Sequence, residues 1–470
     1  MLIHDDIWYN ISRYLSTSDI LRLSYTRKDM YKKILNNNMI MMEHYFTVCK
    51  NVKNYKFLTK LPYKVLCIKL HKRKKKGSKY LVNPRSNLPV KIDCSKINKD
   101  FKYKDFKYLH NICCIDLSCR SIGFLSDNVF ECFNQLVYLN ISGQPTISDD
   151  SFKWFKNLKY LIMIDCNQEN ITDKGFKYLQ GIKHLNISGC NQRTITDQAF
   201  EYLKGVTYLD MSGCNQKTIT DKAFEYLQDI ETLDMSYCNQ NTISNLIPDN
   251  FSNIKTLKIN YCRQFTGQGF ENFKNLQHLE MIGCSNITDG AFYSLRDIKS
   301  LNISGCYNIT DKTFEYIKGI KYLNMSNCTQ ESLTDKGFEN LMGIDTLIMR
   351  CCCQKSITDN AFNYLEGILS IDITGCRQIT DLAFRNFNSL YSLNMSYCNQ
   401  NTITDNAFKY LQNLRSLDMS HCNQTTITNN GFKYLTNIKS LEISFCNKTT
   451  ITDQMFEFLP HLHSKYISQQ

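Results

Sequence analysis

The chain has 470 residues, more than one ordinary compact core holds, so we expect several domains or a repeat array. Its 43% hydrophobic and 21% charged residues exclude a wholly disordered chain. The net charge of +12 is uneven, because residues 1–110 carry 25 Lys and Arg against 8 Asp and Glu, whereas the rest carries 31 against 36. This balance disfavours nucleic-acid binding by the long C-terminal part.

The chain start, Met1–Asp6, lacks the basic and apolar segments of a secretory signal, and no run of 18 apolar residues predicts a membrane span. We therefore expect a cytoplasmic or nuclear protein whose thiols stay reduced. The abundance of Asn, Lys, Ile and Tyr is typical of an AT-rich genome, such as that of a large DNA virus or a protist.

Residues 1–45 predict a small all-helical domain. Ile7, Ile11 and Leu15 have the spacing of one helical face, and Ser16–Asp19 can form a turn with an N-cap. A second helix would then carry Ile20, Leu21 and Leu23.

Residues 46–110 predict a basic linker that includes degenerate first repeats near Leu66 and Val90. The sharpest feature of this segment is the basic run His71–Lys76. Such a run can act as a nuclear-localisation signal or a polyanion site, and it can equally be a solvated loop.

Residues 111–459 contain an internal repeat of 22 or 24 residues, which decides the fold. In each copy, alternating apolar residues predict a strand with one buried face, and a Thr or Asp of I-T-D can cap a short helix. One copy cannot bury its apolar face alone, so the copies are expected to stack around a parallel sheet. The leading apolar residues are Leu139, Leu161, Leu185, Leu209, Leu233, Leu257, Leu279, Leu301, Leu323, Leu347, Ile371, Leu393, Leu417 and Leu441.

Thirteen of the 22 cysteines fall at one repeat position, after the strand. Neighbouring strands lie about 4.8 Å apart, but side chains at equivalent positions run parallel, so we expect a buried ladder of reduced thiols. The run Cys351–Cys353 is only a weak metal signal. We predict no metal site and no cofactor.

The repeat L-x-x-L-x-L-x-x-C-x-x-I-T-D resembles the cysteine-containing subfamily of leucine-rich repeats. It recurs fourteen times between Asn111 and Leu459, although Gln144 replaces one cysteine and Pro248 stands near one helix start. The resemblance implies an α/β solenoid with its parallel sheet on the concave face and short helices on the convex face. Residues 460–470 would form a C-terminal cap or tail.

The N-terminal segment resembles an F-box, although His4 stands near the family's usual proline and Met30 replaces its usual tryptophan. The matches are Leu2, Ile7, Ile11, Tyr14, Leu15, Asp19, Leu21, Leu23, Ser24, Thr26 and Lys28. An F-box ahead of such repeats implies a substrate adaptor of a ubiquitin ligase. The F-box would bind a Skp-type adaptor of a cullin–RING ligase, and the repeats would hold a protein substrate. The residues expected to contact the adaptor are Leu2, Ile7, Ile11, Leu15, Ile20, Leu21 and Leu23.

Three alternatives stay open. The helical pair can be a simple cap for the solenoid, and the chain can be a protein-binding scaffold or decoy that takes no part in ubiquitination. The basic N-terminal quarter also allows a nucleic-acid or nuclear factor.

The partner is expected to bind where the monotonous outward residues of the strands are interrupted. Most copies carry Asn or Asp and then Ser, as at Asn302 and Ser304. Isoleucine and charged residues replace them in a few copies, and such residues favour protein interfaces. The candidates are Ile162, Ile164, Lys258, Glu280, Ile282, Ile348 and Arg350.

No catalytic motif is present. The nine histidines make no H-E-x-x-H, and neither G-x-S-x-G nor a phosphate-binding loop occurs. We therefore predict a non-catalytic protein without catalytic residues.

Overall fold

The computed structural model describes residues 112–118, 127–133, 135–243 and 251–466, together with strands at 47–48, 66–69 and 90–93. The predicted helical pair and the basic run His71–Lys76 lie outside the described residues. The chain divides into two compact units, one ending at Asp210 and the other beginning at Met211.

The first unit contains eight described strands that pair in parallel and in chain order. In the repeats, the register aligns each leading leucine with the next, as in Leu139, Leu161 and Leu185. These leucines are buried, whereas the residues beside them face outward. The strands are β1 Thr47–Val48, β2 Leu66–Lys69, β3 Val90–Asp93, β4 Ile112–Asp116, β5 Tyr138–Asn140, β6 Tyr160–Ile162, β7 His184–Asn186 and β8 Tyr208–Asp210.

The second unit repeats this arrangement, with neighbouring strands again parallel and in register. The last strand lies in the segment expected to form a cap or tail. The strands are β9 Thr232–Asp234, β10 Thr256–Lys258, β11 His278–Glu280, β12 Ser300–Asn302, β13 Tyr322–Asn324, β14 Thr346–Ile348, β15 Ser370–Asp372, β16 Ser392–Asn394, β17 Ser416–Asp418, β18 Ser440–Glu442 and β19 Ser464–Tyr466.

The predicted parallel sheet with short helices is confirmed, and most of the described helices are 3-10 turns. The α-helices are α1 Asp149–Phe152, α2 Asp173–Phe176, α3 Asp197–Glu201 and α4 Asp311–Tyr316. The 3-10 helices are Asp127–Cys132, Lys177–Leu179, Asp221–Tyr226, Phe270–Asn272, Asp289–Phe292, Asp335–Leu341, Asp359–Tyr364, Asp381–Phe384, Ala407–Tyr410, Asn429–Tyr434 and Asp453–Phe458. Each helix lies between two strands of the stack, which leaves room for only one or two turns.

In most repeats the I-T-D motif caps the helix through its threonine. The Thr310 hydroxyl accepts a hydrogen bond from the Lys312 backbone N–H at 3.2 Å, as an N-cap does. Of the two residues expected as possible caps, the threonine is the N-cap, and the expectation for the Asp is wrong. The Asp311 carboxylate instead accepts two bonds from the next repeat, from the Thr334 backbone N–H at 2.8 Å and the Thr334 hydroxyl at 2.6 Å. Because the same pair recurs from repeat to repeat, an Asp–Thr ladder joins neighbouring helices.

A column of phenylalanines fills the core beneath the helices. In the second unit, Phe314, Phe338 and Phe362 are almost fully buried, and neighbouring ring centroids lie 6.2 and 6.4 Å apart. Aromatic pairs at such distances add to the free energy gained from burial. The stack is therefore held together mainly between adjacent repeats, as expected of a solenoid.

The thirteen ladder cysteines are all buried and in the reduced thiol form, as predicted. Most of the ladder thiols donate to the carbonyl of the residue just after the strand of the preceding repeat, as from Cys262 Sγ to the Met235 carbonyl at 3.0 Å. Burial raises the pKa of the Cys284 thiol to about 11, so this side chain stays protonated and able to donate. The ladder thus contributes hydrogen bonds as well as packing.

Candidate protein-binding surface

The outward face of the strands carries a repeated pair of side chains, which we call the outward pair: the residues one and three positions after the leading leucine. In a typical repeat these are Asn324 and Ser326. The Asn324 side-chain oxygen accepts bonds from the Ser326 N–H at 3.0 Å and the Ser326 hydroxyl at 2.7 Å. The common pair is therefore satisfied within its own turn. Repeats that break this pattern leave polar or apolar groups able to contact a partner.

The first break in the second unit lies on β10 and β11. Lys258 and Glu280 form an ion pair of 3.0 Å between adjacent strands, with both side chains about one-third exposed. Asn260 joins them, because its amide donates to Glu280 at 3.3 Å and its oxygen accepts from the Ile282 N–H at 2.9 Å. The Ile282 side chain is half-buried beside this cluster. Three of the predicted site residues thus lie together.

The second break lies on β14 and β15. Arg350 donates to Asp372 at 2.7 Å, with the arginine side chain 54% exposed and the aspartate side chain 10% exposed. Ile348 is half-buried on the same strand. The Arg350 guanidinium uses its Nε for Asp372, so its remaining N–H groups can donate further hydrogen bonds.

Tyr322 on β13 lies between these two breaks. Its pKa is raised, first by burial and then by the charges of Glu280 and Asp372, while Arg350 lowers it. Charges on both sides of its strand therefore act on the pKa of Tyr322. We call Lys258, Glu280, Tyr322, Arg350 and Asp372 the polar patch.

In the first unit, the predicted pair Ile162 and Ile164 is half-buried on and just after β6. Beside it lies an aromatic row at the position before the leading leucine. The His184 ring stacks on Tyr208 at 3.8 Å and lies 5.7 Å from the Tyr160 ring. Burial lowers the pKa of His184, which favours the neutral ring in this row.

The sequence prediction missed a second set of aromatic residues, at the position directly before the ladder cysteine. We call it the pre-cysteine position. The third residue of a tight turn stands there, and every repeat from 139 onward has a positive φ at this point. Glycine is favoured in such turns, and another L-residue costs about 1–2 kcal/mol there. In some repeats the pre-cysteine residue is a glycine, as at Gly189, Gly305 and Gly375. In others it is a bulky aromatic residue: Tyr237, Tyr261, Tyr397, His421 and Phe445.

The match to a family model identifies the chain. A model of the BspA-type leucine-rich repeat region matches in six copies, over residues 145–280, 249–365 and 355–470. These segments together cover more than half of the chain. The chain belongs to the BspA-type leucine-rich repeat family. No curated protein matches it in sequence.

Solved structures place this BspA-type chain in the wider leucine-rich-repeat fold. A chain of the TLR13–ssRNA13 complex has a TM-score of 0.56 and 18% identity, over 80% of this chain and 57% of that one. A leucine-rich-repeat protein of Leptospira interrogans has a TM-score of 0.54 and 16% sequence identity, over 90% of this chain and 100% of that one. A chain of the glycosylated Drosophila Toll–Spatzle complex has a TM-score of 0.50 and 13% sequence identity, over 84% of this chain and 54% of that one. The chain thus spans little more than half of the TLR13 and Toll–Spatzle chains, and the likeness establishes the fold alone.

The described residues of this BspA-type chain contain no helix that is both long and apolar enough to cross a membrane. They also bring no three His, Cys, Asp or Glu side chains together as a metal would need. The predicted F-box residues lie outside this part of the chain.

Proposed function

We propose that this leucine-rich-repeat chain is a non-catalytic scaffold that captures a protein partner on the outward face of its strands. The observation that carries this proposal is the polar patch together with the half-buried Ile282 and Ile348 beside it, where charged and apolar side chains replace the common outward pair. Interfaces favour Arg, Tyr and apolar groups at their centre. The Toll–Spatzle complex is one case of this fold solved in a complex.

A nucleic-acid partner is the second candidate, because the fold also occurs in the TLR13–ssRNA13 complex. The charge of residues 111–470 argues against it, since 36 Asp and Glu outnumber 31 Lys and Arg there. Phosphate contacts require a clear excess of positive charge.

The finer proposal is that the scaffold serves a cullin–RING ubiquitin ligase as its substrate receptor. It rests on the F-box-like pattern of residues 1–45, through which a Skp-type adaptor would bind. The repeats would then raise the local concentration of a substrate near the ubiquitin-charged enzyme. Such a receptor would work in the cytoplasm or the nucleus. A scaffold or decoy without adaptor binding is the alternative.

Replacing Ile282 and Arg350 with alanine is expected to reduce partner capture by about tenfold or more. The change removes the apolar side chain at one break of the outward face and the guanidinium at the other. The measurement is affinity purification of the full chain from cells, followed by quantitative mass spectrometry. Arg415→Ala is the matched control, since the Arg415 guanidinium lies over the Tyr391 ring, outside the outward pairs. Equal capture by the double variant and the wild type would remove the polar patch as the binding site.

Co-purification with a Skp-type adaptor tests the ligase role. The intact chain is expected to retain the adaptor, and Leu15→Asp with Ile20→Asp is expected to release it, because charge is costly in an apolar interface. The Ile282 and Arg350 variant serves as the control and should keep the adaptor. If the intact chain binds no adaptor, the scaffold alternative replaces the ligase proposal.

A further inference from the structure

Three aromatic rings form an exposed stack at the pre-cysteine positions of the last three complete repeats. The Tyr397 and His421 ring centroids lie 4.3 Å apart at an angle of 9°, and those of His421 and Phe445 lie 4.4 Å apart at 13°. Tyr397 is 45% exposed and Phe445 is 44% exposed, although both are large hydrophobic side chains. We call Tyr397, His421 and Phe445 the aromatic shelf.

The backbone makes this position unfavourable for the residues that occupy it. Their φ angles are +61°, +60° and +62°, in the left-handed region that bulky side chains avoid. Gly375 fills the same position one repeat earlier with φ +70°. Because glycine satisfies the turn without this strain, the fold itself gives no reason for three aromatics there. Strain that the fold does not need is a mark of function.

The strands beside the aromatic shelf add negative charge. The first residue of the outward pair is Asp418 on β17 and Glu442 on β18, and each carboxylate accepts from its own turn through one oxygen. Among the described residues, neither carboxylate has an ion-pair partner within 4.0 Å. The basic residues nearest to the two carboxylates in sequence, Arg415 and Lys439, stand directly before these strands, whereas the shelf rings follow the strands. Lys448 comes three residues after the last ring of the shelf. Each carboxylate thus precedes a shelf ring by three residues, and among the described residues it has no ion-pair partner.

We propose that the aromatic shelf, with Asp418 and Glu442, binds a segment of a protein partner that carries arginine next to a nonpolar side chain. The guanidinium is planar, pairs with carboxylates through two parallel hydrogen bonds and stacks on aromatic rings. The nonpolar neighbour covers the exposed ring edges. An anionic ligand such as a nucleic acid is repelled by the same carboxylates. This inference rests on the proposed function and names the chemistry of the partner segment.

The chain offers a matched control in Tyr237 and Tyr261. These rings also stack at pre-cysteine positions, 4.8 Å apart at 20°, with φ +63° and +59°. The strand that precedes Tyr261 carries Lys258 in its outward pair, and this lysine already neutralises Glu280 at 3.0 Å. The strand that precedes Tyr237 carries Asp234 in its outward pair. The two control rings therefore follow one carboxylate and one lysine, whereas the last two shelf rings both follow carboxylates.

The test uses the full chain and a fluorescein-labelled peptide of alternating arginine and leucine, followed by fluorescence anisotropy. A triple variant, Tyr397→Gly, His421→Gly and Phe445→Gly, is expected to weaken peptide binding by about tenfold or more, because the ring surface is lost. Its melting temperature should stay equal or rise, since glycine relieves the left-handed strain. Asp418→Asn with Glu442→Gln should weaken binding similarly and flatten its salt dependence. The control variant, Tyr237→Gly with Tyr261→Gly, should bind as the wild type does.

Several results would overturn the proposal. Unchanged peptide binding by the triple glycine variant would remove the shelf as the site, and a large drop in its melting temperature would make the rings structural. Equal binding of a glutamate–leucine peptide, or of a single-stranded oligonucleotide, would exclude the arginine chemistry. The Ile282 and Arg350 alanine variant should still bind the peptide. If that alanine variant lost partner capture while the triple glycine variant kept it in full, the proposed function would stand. The same result would reject the aromatic shelf as a binding site.

Discussion

Replacing Phe314 with alanine is expected to lower the free energy of unfolding by about 4 kcal/mol. The Phe314 side chain is fully buried in α4, and its ring packs edge-on against Phe338. Truncation leaves a cavity and removes the aromatic pair, and the rigid strands on either side limit how far the repeat can collapse. Urea unfolding followed by circular dichroism measures the effect.

Two variants calibrate this result. Phe314→Leu keeps most of the volume, so we expect a loss of only about 1–2 kcal/mol. Tyr316→Ala removes a half-buried aromatic residue of the same helix, whose ring packs edge-on against Tyr293 at 5.5 Å, and should lower the free energy of unfolding by only about 1 kcal/mol. If Phe314→Ala were no more disruptive than Tyr316→Ala, the phenylalanine column would not be the main support of the stack.

The Asp–Thr ladder gives the second large effect. Asp311→Ala is expected to lower the free energy of unfolding by about 3 kcal/mol, because two bonds to a charged acceptor are lost and the Thr334 backbone N–H loses its partner. Gly337 packs against this carboxylate so closely that an added Cβ would lie 2.5 Å from Asp311 Oδ1. The same denaturation measurement applies.

The chain itself supplies the control for this prediction. Asn429 replaces the ladder aspartate in one repeat, where its oxygen accepts from the Thr452 N–H at 2.8 Å and its amide donates to the Thr452 hydroxyl at 2.8 Å. Asp311→Asn can form the same two bonds, so it should cost less than about 1 kcal/mol. Equal losses in the alanine and asparagine variants would show that the ladder acts through charge and not through hydrogen bonding.

The strands were predictable because their pattern is local and repeated. Leu323 and Met325 alternate with Asn324 and Ser326, and a period of two allows only one buried face. The thiol ladder followed from the same periodicity. The role of Asp311 was not predictable in this way, since an aspartate in the first turn suits a helix N-terminus equally well. Only the distance between helices in adjacent repeats decides which bond forms.

The site was partly predictable. The breaks at Lys258 and Arg350 are visible in the sequence, but their ion pairs depend on which strands are neighbours. The sequence contains a signal of the aromatic shelf that was missed. Tyr397 aligns with Gly375 one repeat earlier, so glycine and a bulky residue share one repeat position. A glycine that alternates with bulky residues at one repeat position indicates a left-handed turn. The stacking of the rings requires the strand spacing as well.

The buried thiols have a consequence for how the repeats open. A thiol that donates to a neighbouring carbonyl and is held protonated can be alkylated only after its own repeat has separated from the one before it. Exposed Cys351 and Cys353 need no such opening. The rate at which each ladder cysteine is alkylated therefore reports the free energy of local opening of one repeat. Comparing these rates along the wild-type chain would show which repeats open first.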